Sequence, residues 1–115
     1  MGHAGRLGLA WVLTAIMTAL IARFTLVPPG GGGPLPINDK LAHFIAFALL
    51  ALPLAWALPA RWGWVVGAAI FFGAVIEVIQ PNFGRAMEAL DLLADGAGAF
   101  IGAGMGLMLA QLRRA

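Results

Sequence analysis

Four long apolar stretches, separated by short segments rich in proline, glycine or charge, make up most of this chain. They cover about residues 7–27, 39–58, 62–80 and 88–112. A helix needs about 20 residues to cross a hydrocarbon core about 30 Å thick, and all four stretches are long enough. The pattern predicts an all-α fold, a polytopic membrane protein built as a four-helix transmembrane bundle in one domain over residues 1–115.

Composition agrees with this prediction and excludes other classes. The chain is 62% hydrophobic and 10% charged, whereas a soluble domain is about 25% charged. It has no cysteine, which excludes disulfides and thiolate metal sites. No basic run or RNA-binding motif accompanies the net charge of +2, so we expect no nucleic-acid partner.

The connections between the stretches set the topology. Residues 28–36 read Pro-Pro-Gly-Gly-Gly-Gly-Pro-Leu-Pro, which predicts a non-helical linker because proline lacks an N–H and glycine loses much backbone entropy on folding. The other two connections, around residues 59–61 and 81–85, are short, so helix 3 is expected to be the antiparallel neighbour of helices 2 and 4. Basic residues then orient the chain by the positive-inside rule. Placing both termini in the cytoplasm puts four arginines inside (Arg6, Arg61, Arg113, Arg114) and three cations outside (Arg23, Lys40, Arg85).

This topology brings all five acidic residues to the outer side: Asp39, Glu77, Glu88, Asp91 and Asp95. Because a charge at membrane depth costs about 2.5–3.5 kcal/mol on insertion scales, such a cluster indicates a functional site. Helical spacing stacks Asp39 with His43, and predicts that Glu77 and Asp95 face the bundle interior. The candidate site comprises Asp39, Lys40, His43, Glu77, Gln80, Arg85, Asp91 and Asp95.

Glycines on helix 4 predict a close helix contact. Gly98, Gly102 and Gly106 form two overlapping GxxxG steps, a spacing that lets helices approach closely in lipid. Two alternatives stay open at this point. The glycines pack within the bundle, with Gly63 and Gly67 of helix 3 as the opposing surface, or they form the seam of a homo-oligomer.

The charged positions resemble those of a known family. Asp39-Lys40-Leu41-Ala42-His43-Phe44 opens one helix, Glu77-Val78-Ile79-Gln80 closes the next, and Gly84-Arg85 and Asp91 precede a glycine-rich run. This order, over Asp39 to Gly102, resembles the VanZ-like family, and helix 1 resembles it only in being hydrophobic. Asp95 is a partial departure, since many relatives carry asparagine there. The resemblance implies a small protein of the bacterial inner (cytoplasmic) membrane that acts at the cell envelope. The family is named for a member linked to resistance to the glycopeptide antibiotic teicoplanin.

Three functions fit the candidate site. The first is a charge network that locks the helices together. The second is a binding site for the headgroup of a lipid or of a lipid-linked cell-wall precursor. The third is the active site of a lipid-phosphate hydrolase. In the hydrolase, His43 is base or nucleophile, Asp39 orients it and Arg85 stabilises the phosphoryl charge. A divalent cation on Glu77, Asp91 and Asp95 is a variant; no other cofactor is expected. The chain has no serine and its threonines lie in helix 1, which argues against a hydroxyl nucleophile. A histidine with a carboxylate four residues earlier is common without catalysis, which favours a non-catalytic role.

Overall fold

The computed structural model describes residues 1–26, 39–79 and 89–114, and all regular elements in these ranges are helical. They are α1 (His3–Leu26), α2 (Asp39–Ala57), a 3₁₀ turn (Pro59–Arg61), α3 (Trp62–Ile79) and α4 (Ala89–Arg114). Each of the four α-helices is long and apolar enough to cross a membrane. The prediction of an all-α membrane protein with four long helices is confirmed.

The helices differ from the predicted stretches mainly at the start of α1 and at the end of α4. α1 begins at His3 and α4 continues to Arg114, because a helix does not end where hydrophobicity ends. Arginine is a strong helix former and is stabilised at the negative end of the helix dipole, so Arg113 and Arg114 extend α4. α2 ends before Leu58, whose φ of −127° is non-helical, as expected for the residue that precedes a proline.

The closest helix pair is α2 with α4, and these two helices run in the same direction. Three glycines spaced four apart on α4 face positions spaced four apart on α2: Gly98 faces Phe44, Gly102 faces Ala48, and Gly106 faces Leu52. A Cβ atom built on Gly106 would lie 2.5 Å from the Leu52 carbonyl oxygen. Only glycine leaves enough room for backbones this close together.

This arrangement corrects one expectation about the glycines. Gly63 and Gly67 do not oppose them, because a Cβ atom on either would have nothing within 4 Å. The glycine face of α4 is covered by α2 of the same chain. The glycines therefore pack within the bundle, which was the first of the two alternatives. α2 and α4 are not consecutive helices of the chain. α3 lies between them in sequence and packs against both. Homo-oligomerisation stays an untested prediction.

The core lies between α2, α3 and α4, and α1 packs on its edge. Phe47 and Ala51 of α2, Ile76 of α3 and Ala103 of α4 are buried together, and Ile21 of α1 joins them. The rest of α1 packs mainly on α2 and leaves large apolar side chains exposed. In a bilayer those side chains contact lipid.

The two ends of the bundle carry opposite charge. α2 and α4 begin, and α3 ends, at what we call the acidic end, where Lys40, Glu77, Asp91 and Asp95 lie. α2 and α4 end, and α3 begins, at what we call the arginine end, with Arg61, Arg113 and Arg114. α1 begins at the arginine end, since Arg6 interacts electrostatically with Arg113.

Candidate functional site

Four ionisable side chains meet between α2 and α4 at the acidic end, and we call Lys40, His43, Asp91 and Asp95 the polar cluster. Lys40 Nζ lies 2.7 Å from Asp91 Oδ1. His43 Nδ1 lies 2.7 Å from Asp95 Oδ1, and its Nε2 lies 3.8 Å from Asp91 Oδ2. The imidazole therefore lies between two carboxylates of one helix, and Lys40 pairs with the outer one.

The polar cluster follows from helical spacing and from the close approach of the helices. Lys40 and His43 are three apart and Asp91 and Asp95 four apart, so each pair stacks on one face of its helix. The parallel register then places the two pairs side by side. Aspartate is short, and it reaches the imidazole because Gly98, less than a turn beyond Asp95, brings the backbones of α2 and α4 together.

Burial of the polar cluster increases along the bundle. The Lys40 side chain is 35% exposed, whereas those of His43 and Asp95 are 5% and 1% exposed. Lysine can bury its methylene stem and leave its ammonium group at the membrane surface. The cluster thus extends from the surface into the protein interior, where ionisable groups must be paired with one another.

α3 closes the polar cluster from the other side through a glycine. A Cβ atom on Gly73 would lie 2.8 Å from Asp95 Oδ2 and 3.3 Å from Phe47 Cε2. The carboxylate therefore packs directly against the α3 backbone. Sequence reasoning missed Gly73 because glycine carries no chemistry. The available signal was its position one turn before Glu77, on the same helix face.

The remaining candidate residues differ in whether the structure describes their side chains. Glu77 is buried, which agrees with the expectation that it faces the interior. Gln80, Arg85 and Glu88, and the side chain of Asp39, lie outside the described residues. His43 Nδ1 contacts Asp95, and the pairing of His43 with Asp39 stays a prediction because the Asp39 side chain is not described. The interhelical partner was missed because the sequence gives spacing within a helix but no register between helices.

A metal site is not assembled among the described residues. Within residues 1–26, 39–79 and 89–114, no three histidine or acidic side chains are grouped closely enough to hold a metal ion. The suggested ligand set of Glu77, Asp91 and Asp95 is therefore not formed in this structure.

Comparison with known proteins gives the family. A family model described as VanZ/LLP1 matches residues 8–110. The chain belongs to the VanZ-like family. The match includes most of α1, so the VanZ-like pattern is wider than the stretch from Asp39 to Gly102 that carries the charged motifs. No curated protein and no solved structure matches the chain.

In this VanZ-like protein the polar cluster offers three chemical properties. A carboxylate accepts hydrogen bonds, so the His43 Nδ1–H donates to Asp95 and the ring orientation is fixed. The second ring nitrogen faces Asp91. Lys40 brings a cation to the membrane surface. The arrangement can hold a ligand through both donors and acceptors, or it can position an imidazole.

Proposed function

We propose that this VanZ-like protein binds the headgroup of a lipid or of a lipid-linked cell-wall precursor at its acidic end, which faces the outside of the cytoplasmic membrane. The observation that carries the proposal is the continuity of the polar cluster from the buried Asp95 to the partly exposed Lys40. A headgroup at the surface can reach these side chains without entering the hydrocarbon core.

Energetics argue against a purely structural role. A charge costs about 2.5–3.5 kcal/mol at a helix centre, which is an upper bound for residues in the first two turns of α2 and α4. An interhelical polar contact returns on the order of 0.6 kcal/mol. The glycine stripe already supplies close packing of α2 on α4. Apolar residues in place of a buried ion pair are often equally stable. Stability of the helix packing alone therefore does not explain why these charged side chains are buried, which supports a ligand-binding role.

The net charge of the acidic end limits the chemical class of the ligand. By sequence the acidic end carries five acids against Arg23, Lys40 and Arg85, a balance of −2 with His43 neutral. Lys40 is already paired with Asp91. A headgroup with amine, amide or hydroxyl donors beside its phosphate suits this balance better than a bare phosphate does. Arg85 is the residue suited to bidentate phosphate contact.

Native mass spectrometry of gently released protein tests the proposal. We expect a bound phospholipid or isoprenyl-phosphate species in the wild type, and one bound lipid fewer in Lys40→Gln and Arg85→Gln. Arg61→Gln is the matched control, because it removes one charge at the opposite end and should keep the lipid. A wild type that carries no lipid would refute headgroup binding and leave the polar cluster as a structural network.

A lipid-phosphate hydrolase is the alternative, favoured by the contact between His43 Nδ1 and Asp95. An imidazole oriented by a carboxylate is suited to general-base or nucleophilic work on a phosphoryl group. The test is phosphate release from an isoprenyl phosphate. His43→Ala should abolish release in a protein that still folds, and no release by the wild type across lipid phosphates and metals would exclude this function.

A role in glycopeptide resistance is proposed from family membership. Expression in a teicoplanin-susceptible bacterium should raise the inhibitory concentration of teicoplanin. Asp95→Asn should raise it less if the polar cluster is responsible. An unchanged inhibitory concentration with the wild-type protein in the membrane would separate this member from that role.

A further inference from the structure

Arg113 is held in place at the arginine end by the last turn of α2. Its Nη1 donates a hydrogen bond of 2.6 Å to the Trp56 carbonyl oxygen, and its Cζ lies 5.3 Å from the centroid of the Trp56 ring. The hydrogen bond satisfies one of the carbonyls that a helix leaves unpaired at its C-terminus. The guanidinium is thereby fixed at the end of the bundle, and its other N–H donors remain for a further partner.

Two other arginines lie within electrostatic reach of Arg113, and none of the described acidic side chains is at this end. Arg6 of α1 and Arg114 both repel Arg113. The described acidic side chains, Glu77, Asp91 and Asp95, belong to the opposite end of the bundle, and the sequence has no aspartate or glutamate in residues 1–38, 40–76 or 96–115. Among the residues that the structure describes, this end therefore concentrates positive charge and has no acidic side chain as a counter-ion.

We infer that the arginine end binds an anionic phospholipid, whose phosphate lies against Arg113 with Arg6 and Arg114 around it. Arginine matches phosphate geometry bidentately, and basic pockets between membrane helices bind anionic headgroups. Trp56 suits the same depth, because tryptophan rings favour the headgroup layer. The site lies at the opposite end from the polar cluster and does not depend on the function proposed for that cluster.

A lipid titration of the full chain in neutral detergent tests the inference. Binding of phosphatidylglycerol, phosphatidylcholine and inorganic phosphate is measured by native mass spectrometry for the wild type and Arg113→Gln. The wild type should bind phosphatidylglycerol more tightly than phosphatidylcholine, and inorganic phosphate should not displace it. Arg113→Gln should weaken phosphatidylglycerol binding about fivefold, as expected for the loss of one direct charge contact with the phosphate of about 1 kcal/mol.

Two further variants separate a built site from general charge. Arg61→Gln removes an exposed charge at the same end and should change the affinity less than twofold. Arg6→Gln leaves the Trp56 contact intact and should weaken binding as Arg113→Gln does, which keeps the test valid if Arg113→Gln fails to fold. Equal effects of Arg61→Gln and Arg6→Gln, no preference for the anionic lipid, or displacement by inorganic phosphate would each overturn the inference.

Discussion

Replacing Gly102 by alanine adds one methyl group where the Ala48 carbonyl already occupies the space. The atoms that block the new methyl group are the oxygen, carbon and Cα of the α2 backbone. Backbone atoms cannot rotate away as a side chain can, so α2 and α4 must separate. Their separation also pulls His43 away from Asp95.

The expected loss of stability follows from two opposing terms. Overpacking a close contact costs typically about 1–3 kcal/mol, and a backbone obstacle places this case at the upper end. Alanine is about 0.8–1.0 kcal/mol better than glycine inside a helix, which offsets part of the loss. The net effect of Gly102→Ala is a decrease of about 2 kcal/mol in the free energy of unfolding.

Unfolding in mixed detergent micelles with increasing SDS, followed by tryptophan fluorescence, measures this change. Gly104→Ala is the matched control on the same helix, since a Cβ atom there has nothing within 4 Å. It should leave stability unchanged or raise it by up to about 1 kcal/mol. If Gly102→Ala proves as stable as Gly104→Ala, the parallel packing of α2 on α4 is wrong.

Three further predictions concern the polar cluster and the orientation. Gly73→Ala should lower the free energy of unfolding by about 1–2 kcal/mol, because its Cβ would lie 2.8 Å from Asp95 Oδ2. Gly67→Ala is the control and should not lower it, because a Cβ there has nothing within 4 Å. Equal effects of the two substitutions would contradict the contact between Gly73 and Asp95. A double-mutant cycle with His43→Ala and Asp95→Asn should give a coupling on the order of 0.6 kcal/mol and at most about 1.7; strictly additive effects would show that the two side chains do not interact. Gly2→Cys, in a chain without cysteine, should react with an impermeant maleimide only in opened cells, and labelling of intact cells would reverse the proposed orientation.

Run lengths in the sequence were sufficient to predict the helices, but not which of them pair. The spacing of Gly98, Gly102 and Gly106 predicts a close contact and leaves its partner open. Gly63 and Gly67 have the same small-residue spacing, yet the structure uses the α2 face that contains Ala48. An alanine-containing face permits close approach without a recognisable glycine motif, which explains why the partner helix was misidentified.

The candidate site was predictable by residue type but not by geometry. Helical spacing placed Asp91 and Asp95 on one face and predicted that Asp95 points inward. Asp95 was not predicted as the partner of His43, because only intrahelical neighbours such as Asp39 are visible in a sequence. Gly73 escaped notice because its contribution is the space that its missing side chain leaves for a carboxylate.

The parallel pairing of α2 and α4 also determines when the polar cluster can form during synthesis. α2 enters the membrane with Lys40 and His43 before α4 has been made, and Asp95 follows His43 by 52 residues. α3 must be inserted in between, and it faces the finished cluster with a glycine. The cluster is therefore completed last, when α4 docks onto helices that are already inserted. A chain truncated before α4 would lack both aspartates of the cluster.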